Sequence, residues 1–127
     1  MNEEEIGKEV VDACIKVHSA LGPGLLEGVY AVCMAHELEG RGLEVKREVA
    51  LPIEYKSLKI DNAFRLDLLV ADSVVIELKA VDNLSPVHAA QLLSYLKLGH
   101  YKLGFLLNFN VVHMKDGIKR MVNGRKT

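Results

Sequence analysis

Residues 64–81, FRLDLLVADSVVIELKAV, are too apolar for a loop and carry more charge than an ordinary buried hairpin. Their alternation on either side of residues 71–73 predicts two antiparallel strands joined by a short connection. The apolar positions that we expect to share one face of this hairpin are Phe64, Leu66, Leu68, Val70, Val74, Ile76, Leu78 and Ala80. The charged residues of the same segment, Asp67, Glu77 and Lys79, require a separate explanation.

The length of the connection decides which charged residues meet across the hairpin. A two-residue connection would mix the apolar and charged faces, because strand side chains alternate. A three-residue connection keeps the faces separate and places Asp67 opposite Glu77 and Arg65 opposite Lys79. We therefore predict the three-residue register. In it two carboxylates have Cβ atoms roughly 4.5–5.5 Å apart, which destabilises a sheet unless a cation or a proton lies between them.

Two interpretations of this charged cluster are open. In the first, Arg65 and Lys79 compensate the carboxylates on a solvated outer face, and the cluster is structural. In the second, the carboxylates bind a hard divalent cation, which prefers oxygen ligands. Lys79 then stays beside the metal as a point charge for an anionic substrate.

Length and charge limit the remaining possibilities. A chain of 127 residues is expected to form one domain, residues 1–127, with a genuine core. Sixteen Lys and Arg against seventeen Asp and Glu give a net charge of −1, so any nucleic-acid surface must be a local patch. Cys14 and Cys33 show no spacing typical of zinc sites or disulfide frameworks, and we expect two buried, reduced thiols. No apolar run approaches the ~20 residues of a membrane span, and a cytoplasmic location is expected.

Three segments have helical periodicity. The first covers about residues 3–21 and ends at GPG, residues 22–24. The second covers about residues 25–40. Its expected apolar side consists of Leu26, Val29, Cys33 and Leu38, with Glu27 and Tyr30 on a neighbouring stripe. The third covers about residues 85–98, with Ser85 as its cap. Its expected apolar residues are Val87, Ala90, Leu93, Leu96 and Leu98, and its expected polar stripe is His88, Gln91 and Tyr95.

Strand patterns occupy the other segments. LEVKREVALPIEY, before the hairpin, predicts one strand or two, the second starting at Pro52. KLGFLLNF, VVHM and IKRMV follow the third helix. The order of helices and strands predicts an α/β sandwich in which helices flank both sides of a mixed, mostly antiparallel sheet.

Three separated segments resemble one known family. GLLEGVY at residues 24–30 fits the pattern GxxExxY, and RLDLLVADSVVIELKAV and HAAQLLSYLKL are similar to the metal-site strands and following helix of the PD-(D/E)XK nuclease superfamily. Together with GFLLNFN at 104–110, their order resembles the GxxExxY proteins placed in that superfamily. The resemblance covers about residues 6–122 and implies a restriction-endonuclease-like sandwich.

The resemblance also implies roles for particular residues. Asp67 and Glu77 match the acidic residues that hold the divalent metal, Mg²⁺ or Mn²⁺, and Lys79 matches the lysine that assists the water or the phosphate. Glu27 matches a helical acidic residue that completes the metal site in many members. Gln91, and less directly Tyr95, match polar positions facing the site. Leu66 stands where the superfamily name has Pro, a position without a chemical role.

The residue chemistry agrees with a nuclease for an independent reason. Phosphodiester hydrolysis requires a metal to polarise the phosphate and to lower the pKa of bound water, fixed acidic oxygens to hold it, and a cation to stabilise added charge.

Tyr30 is expected beneath Glu27, with its hydroxyl orienting that carboxylate, and His88 is expected to be a surface or packing residue. The expected partner is DNA or RNA, contacted by a basic rim of Lys46, Arg47, Lys115, Lys119 and Arg120.

Three functions are compatible with these observations. The first is a magnesium- or manganese-dependent nuclease. The second is a non-catalytic nucleic-acid-binding or protein-interaction module that retains the fold. The third is a metal-dependent hydrolase of a small phosphate ester. Self-association of the chain remains open in all three.

Overall fold

A five-stranded sheet separates two helices on one face from a third helix on the other. The computed structural model describes residues 1–124. Its elements are α1 (Glu3–Leu21), α2 (Glu27–Gly40), β1 (Val45–Tyr55), β2 (Leu58–Val70), β3 (Val74–Lys79), α3 (Pro86–Gly99), β4 (Leu103–Asn108), a 3-10 helix (Met114–Gly117) and β5 (Ile118–Val122). None of the helices formed by residues 1–124 combines the length and the hydropathy of a membrane-spanning segment.

The strands follow one another across the sheet in the order β1-β2-β3-β4-β5. Within the described residues, β3 and β4 are the only parallel pair, and α3 crosses over the sheet between them; the other neighbours pair antiparallel. Buried residues of α1 and α2 pack on one face, and those of α3 pack on the other. The prediction of a mixed, mostly antiparallel sheet flanked by helices is therefore confirmed.

The hairpin has the predicted three-residue register. Val70 pairs with Val74 and Leu68 with Ile76, and continuation of this register places Asp67 opposite Glu77. The predicted single apolar face is wrong, however. Leu68 packs toward α1 and α2, whereas Leu66 packs with the α3 core. The strand changes faces around Asp67, where its recorded pairing with β3 ends.

Two contacts of α1, its N-terminal cap and its bond to the end of α2, were not apparent from periodicity. At its start, Asn2 and Glu5 form a capping box in which each side chain accepts from the backbone N–H of the other. Arg41, just after α2, binds Glu9 and Asp12 of α1. Because the arginine is largely covered, these contacts fix the second helix against the first.

The buried side of α2 differs from the predicted one. The structure buries Tyr30, Met34, Ala35 and Leu38, while Leu26 is 79% exposed. The reason is the Tyr30 ring, which stacks on Phe109 with centroids 4.4 Å apart. This contact turns the tyrosine stripe, rather than the Leu26 stripe, toward the core.

The buried side of α3 is also rotated from the prediction. Leu92, Tyr95 and Leu96 are buried, and the Tyr95 ring packs on Phe64 at a centroid distance of 4.7 Å. Tyr95 therefore belongs to the core face rather than to a polar stripe. His88 accepts a hydrogen bond from the backbone N–H of Ser85 and caps the start of the helix.

The segment VVHM does not form the predicted strand. Residues 111–113 are bends, and Met114 begins the 3-10 helix. This helix ends at Gly117, which packs directly against the carbonyl oxygen of Asn108 at the end of β4. The close approach lets β5 return beside β4 and leaves no room for a side chain.

Replacing Gly117 with alanine should destabilise the fold by about 2 kcal/mol or more, because the new methyl group would overlap the Asn108 carbonyl oxygen. Urea unfolding followed by circular dichroism measures the loss. Gly40→Ala is the matched control, since no atom outside its own helix lies within 4 Å of the added carbon. That control should be neutral or up to ~1 kcal/mol more stable. Equal unfolding midpoints for the two variants would contradict the packing described.

Candidate active site

Asp67 and Glu77 meet where β2 and β3 separate. The backbone N–H of Asp67 donates to Glu77 Oε2 at 3.0 Å, and the backbone N–H of Leu78 donates to Asp67 Oδ2 at 2.8 Å. Each carboxylate thus binds the main chain of the opposite strand, beyond the last recorded ladder pair. This exchange holds both side chains in the gap between the strands.

The pair is electrostatically unfavourable without a cation. Burial raises the pKa of the Glu77 carboxyl to about 8, and repulsion from Asp67 adds to the increase. Burial also raises the pKa of Asp67, although the Leu78 N–H and the charge of Lys79 oppose this. A bound cation would stabilise the ionised form of both carboxyls, because it compensates the negative charge that burial disfavours.

Lys79 ends β3 two residues after Glu77. It is half-buried and close enough to lower the pKa values of both carboxyls, but within residues 1–124 no acidic oxygen lies within salt-bridge distance of its ammonium. The lysine therefore contributes charge to the site while its ammonium remains available for another anion.

The segment after Lys79 is held by Asn108, which sequence reasoning did not assign. Its buried side chain accepts from the N–H of Val81 at 3.1 Å and donates to the Val81 carbonyl at 2.9 Å. The N–H of Phe109 also donates to the Lys79 carbonyl at 2.9 Å. These bonds fix the direction in which the chain leaves β3. The early sign in the sequence was Asn108, an amide flanked by the apolar residues Leu107 and Phe109 in GFLLNFN.

Glu27 approaches the site from the first turn of α2. Its Oε2 accepts from the backbone N–H of Ala80 at 3.3 Å, one residue beyond Lys79. It also lines, together with Asp67, a cleft of about 170 Å³ beneath the helix. The structure therefore brings the predicted acidic residues of α2 and β2 to one cleft.

Tyr30 does not orient the Glu27 carboxylate as expected. Its hydroxyl donates to the carbonyl of Gly22 at 2.6 Å and accepts from the N–H of Leu25 at 3.2 Å. The tyrosine instead fixes the GPG turn that leads into α2. It positions the start of the helix, and Glu27 with it, through the backbone.

Glu48 is an acidic residue of the cleft that the sequence analysis missed. It lines the cleft beside Arg47 and Asp67, has a left-handed φ of 52°, and accepts from Arg65 at 3.3 Å. The side chain of Arg65 therefore pairs with Glu48 of β1 and not with a residue of β3, contrary to the predicted placement opposite Lys79. Only the register between β1 and β2, which links distant segments, could have revealed Glu48.

The two α3 candidates differ in position. Gln91 is exposed on the helix surface. Tyr95 is buried, and burial together with the negative charges of Glu77 and Asp67 raises its pKa. Tyr95 is therefore the closer neighbour of the carboxylate pair, and it lies there as part of the α3 core.

The five cations proposed as a basic rim do not form one surface. Lys46 and Arg47 are on β1, whereas Lys119 and Arg120 are on β5 at the other edge of the sheet. Lys115 lies in the 3-10 helix before β5. Lys46 pairs with Asp72 at 2.7 Å, and Arg120 pairs with Glu4. Of the five, Arg47 lines the cleft that contains Asp67.

The carboxylate pair has the chemistry to bind a hard divalent cation. Among residues 1–124, one oxygen each of Asp67 and Glu77 accepts a backbone hydrogen bond, and the other oxygen of each has no donor and is of the type that hard cations prefer. Within the same range, no group of three or more His, Cys, Asp or Glu side chains is placed to hold a metal. The pair fits two ligands of such an ion, with Glu27 near but bound to Ala80.

Comparison with known families agrees with this geometry. A family model described as the PD-(D/E)XK nuclease superfamily matches residues 4–121. The chain belongs to this superfamily. No curated protein and no solved structure matches it significantly. PD-(D/E)XK membership indicates a nuclease-like domain, and PD-(D/E)XK nucleases generally use divalent metals. The resemblance to GxxExxY proteins remains a prediction.

Without divalent metal, the protein should lose stability as the pH rises above 4.5, the ordinary pKa of a glutamate carboxyl. The pKa of Glu77 is raised from 4.5 to about 8, so the folded state retains a proton that the unfolded state has lost. The contribution of Glu77 to the free energy of unfolding is therefore complete below about pH 4.5 and is lost as the pH rises to about 8. Between these two pKa values the loss is about 1.4 kcal/mol for each pH unit.

Denaturant unfolding at several pH values in a chelating buffer tests this expectation. Glu77→Gln should flatten the decline, because the amide does not ionise. Glu54→Gln, at an exposed position, should leave the parental decline unchanged. Parallel curves for the parent and Glu77→Gln would refute the predicted penalty.

Proposed function

We propose that the chain is a magnesium- or manganese-dependent nuclease that hydrolyses DNA or RNA, with Asp67 and Glu77 as metal ligands. The supporting observation is the pair of covered carboxylates, each anchored to the opposite strand and each with one free oxygen. Such a pair is costly in a metal-free protein, and superfamily membership gives it a chemical purpose.

The metal, when bound, supplies polarisation of the phosphate and a lower pKa for the attacking water. The residues of the chain orient the carboxylates and stabilise the charge that develops on the phosphate. Leu78 N–H and Asp67 N–H fix the two carboxylates in place. Lys79 lies beside them with its ammonium available to bind a phosphate oxygen and to stabilise the charge that develops during hydrolysis.

Glu27 is proposed as an additional ligand that completes the site. Its carboxylate uses Oε2 for the Ala80 N–H and shares the cleft with Asp67. The bond to Ala80 at 3.3 Å is long, so the side chain can exchange this weak bond for a cation at small cost. The GxxExxY pattern is consistent with this role, since Tyr30 fixes the turn that precedes Glu27.

Gln91 and Tyr95 are proposed to support the site from α3. Burial and the charges of Glu77 and Asp67 raise the pKa of Tyr95, so its hydroxyl stays protonated near the carboxylate pair. Gln91, one helical turn earlier, is exposed and available to substrate.

Exchanging Lys79 for methionine should separate catalysis from metal binding. An ammonium has no lone pair for a metal, so Lys79→Met should keep or strengthen Mn²⁺ affinity by removing a nearby positive charge. Cleavage should fall ~10²-fold or more, as expected for the loss of one electrostatic stabiliser. Asp67→Ala should lose both properties. Calorimetric Mn²⁺ titration and single-turnover cleavage are measured on the same preparations.

Lys16→Met, which changes an exposed lysine of α1, is the control for charge alone. The substrate panel contains single- and double-stranded DNA, RNA and branched duplexes. Parental cleavage by Lys79→Met alongside an inactive Asp67→Ala would assign the lysine a structural role only. Site-dependent metal binding without cleavage of any substrate would favour a non-catalytic module.

Arg47 is the basic residue that we expect to contact nucleic acid near the site. Arg47→Ala should weaken nucleic-acid binding and reduce the salt slope by about one, because a phosphate contact is lost. Arg120→Ala removes the same charge at the opposite edge, where Arg120 binds Glu4, and should have little effect. Fluorescence anisotropy at several salt concentrations distinguishes the variants. Equal losses for both would show that the contact surface extends across the sheet.

A further inference from the structure

Glu48 has a backbone conformation that strands do not ordinarily contain. It lies inside β1, and its φ of 52° is in the left-handed region that L side chains disfavour. Within residues 1–124, the other non-glycine residues with a left-handed φ lie at turns or at a helix end; they are Lys56, Ala71, Asp72 and His100. Turn geometry therefore accounts for those residues and does not account for Glu48.

The side chain of Glu48 gains too little to explain this conformation. Its carboxylate accepts from Arg65 at 3.3 Å, and both side chains are 65% exposed, so solvent screens the ion pair. Backbone strain of this kind persists where the surrounding structure imposes it, and it is concentrated at functional sites. The conformation must therefore serve the path of the backbone.

The two faces of β1 exchange at Glu48. Val45 packs against the core formed with α1 and α2, whereas Val49 and Leu51 pack in the α3 core. In a regular strand, residues four positions apart share a face because side chains alternate. The left-handed residue between Val45 and Val49 is the point at which this alternation is broken.

β2 exchanges its faces at the residue opposite Glu48. The recorded β1–β2 pairs on either side of Glu48 keep one register, and its continuation places Glu48 opposite Asp67. Those flanking pairs are Arg47 with Leu68 and Val49 with Leu66. Leu68 packs toward α1 and α2, whereas Leu66 packs in the α3 core. The two paired strands, here called the β1–β2 ribbon, therefore turn over together.

β3 does not turn over with the ribbon. Val74, Ile76 and Leu78 all belong to the core on the α1 and α2 face, so β3 alternates regularly. A ribbon that turns over beside a regular strand must separate from it at that point. The recorded β2–β3 pairing ends at Leu68 with Ile76, one residue short of Asp67.

The hydrogen-bond exchange between Asp67 and Glu77 accounts for a turn in β2 and not for one in β1. Those bonds join β2 to β3, whereas β1 lies on the far side of β2. The change of faces in β1 requires a cause of its own, which is the left-handed backbone of Glu48. The pairing of β1 with β2 then carries this turn to Asp67.

We propose that Glu48 is a positioning residue whose left-handed backbone turns the β1–β2 ribbon and thereby holds the Asp67 carboxylate in the gap between β2 and β3. The role belongs to the backbone, and the Glu48 side chain is not required for it. The inference rests on the proposed function for the purpose of the carboxylate pair, whereas the placement of Asp67 is measured without metal.

Three substitutions of Glu48 separate the backbone from the side chain, because each removes the same charge. Glycine and asparagine accept a left-handed φ, whereas β-branched valine does not. Glu48→Gly and Glu48→Asn should bind Mn²⁺ with affinities within about three-fold of each other, and Glu48→Val should bind at least ~10-fold more weakly than either, the scale for losing the support of a metal ligand. Calorimetric titration measures the affinities, with Asp67→Ala as the reference for a lost ligand.

Amide hydrogen exchange of Leu78 reports the placement of Asp67 without metal, because the Leu78 N–H donates to Asp67 Oδ2 at 2.8 Å. Measured relative to amides of α1 in the same variant, this amide should exchange at least ~10-fold faster in Glu48→Val than in Glu48→Gly, since its local opening costs less. Glu54→Val makes the same substitution at an exposed β1 residue without a left-handed φ. It should keep the parental Mn²⁺ affinity and the parental exchange rate.

Equal Mn²⁺ affinities and equal Leu78 exchange for Glu48→Gly and Glu48→Val would overturn the proposal. A Glu48→Gly variant that binds Mn²⁺ as weakly as Asp67→Ala would overturn it as well, because the side chain would then be the essential part. Urea unfolding shows whether each variant is folded, and Glu48→Ala replaces Glu48→Val under the same criteria if the latter does not fold. A parent that binds no Mn²⁺ would contradict the proposed function, while Leu78 exchange would still decide the positioning role.

Discussion

The two carboxylates held between β2 and β3 impose the constraint on which the rest of the site depends. Asp67 and Glu77 replace ladder bonds by accepting backbone N–H groups of each other's strands. The exchange separates the strands at that point, turns Leu66 and Leu68 to opposite faces, and covers negative charge that burial penalises. Burying two like charges lowers the stability of the sheet, so we attribute the pair to function rather than to folding.

The surrounding elements share the task of keeping the end of β3 in place. The segment after β3 is bonded by Asn108 of β4 at Val81 and by Glu27 of α2 at Ala80. Tyr30 fixes the turn that precedes Glu27. Tyr30 also stacks on Phe109, directly after Asn108. The acidic residue and the tyrosine of GxxExxY therefore act at the same junction by different means, one through its carboxylate and one through packing and the backbone.

The sequence was sufficient for features that depend on local spacing. The hairpin register followed from parity over ten residues, and the helix and sheet order followed from periodicity. Features set by distant contacts were missed: the rotation of α2 depends on Tyr30 meeting Phe109, and Glu48 reaches the cleft only because β1 pairs with β2. The predicted polar stripe of α3 was wrong at Tyr95 for the same reason, since the Tyr95 ring packs on Phe64 in the core.

The three-residue turn of the hairpin also bears on the order of folding. Asp67 and Glu77 are ten residues apart, whereas Glu27 lies 53 residues from its bonding partner Ala80. Short loops close at a lower entropic cost than long ones, so the hairpin can pair before α2 docks. The repulsive pair would then assemble while still hydrated, and its covering would be a late event.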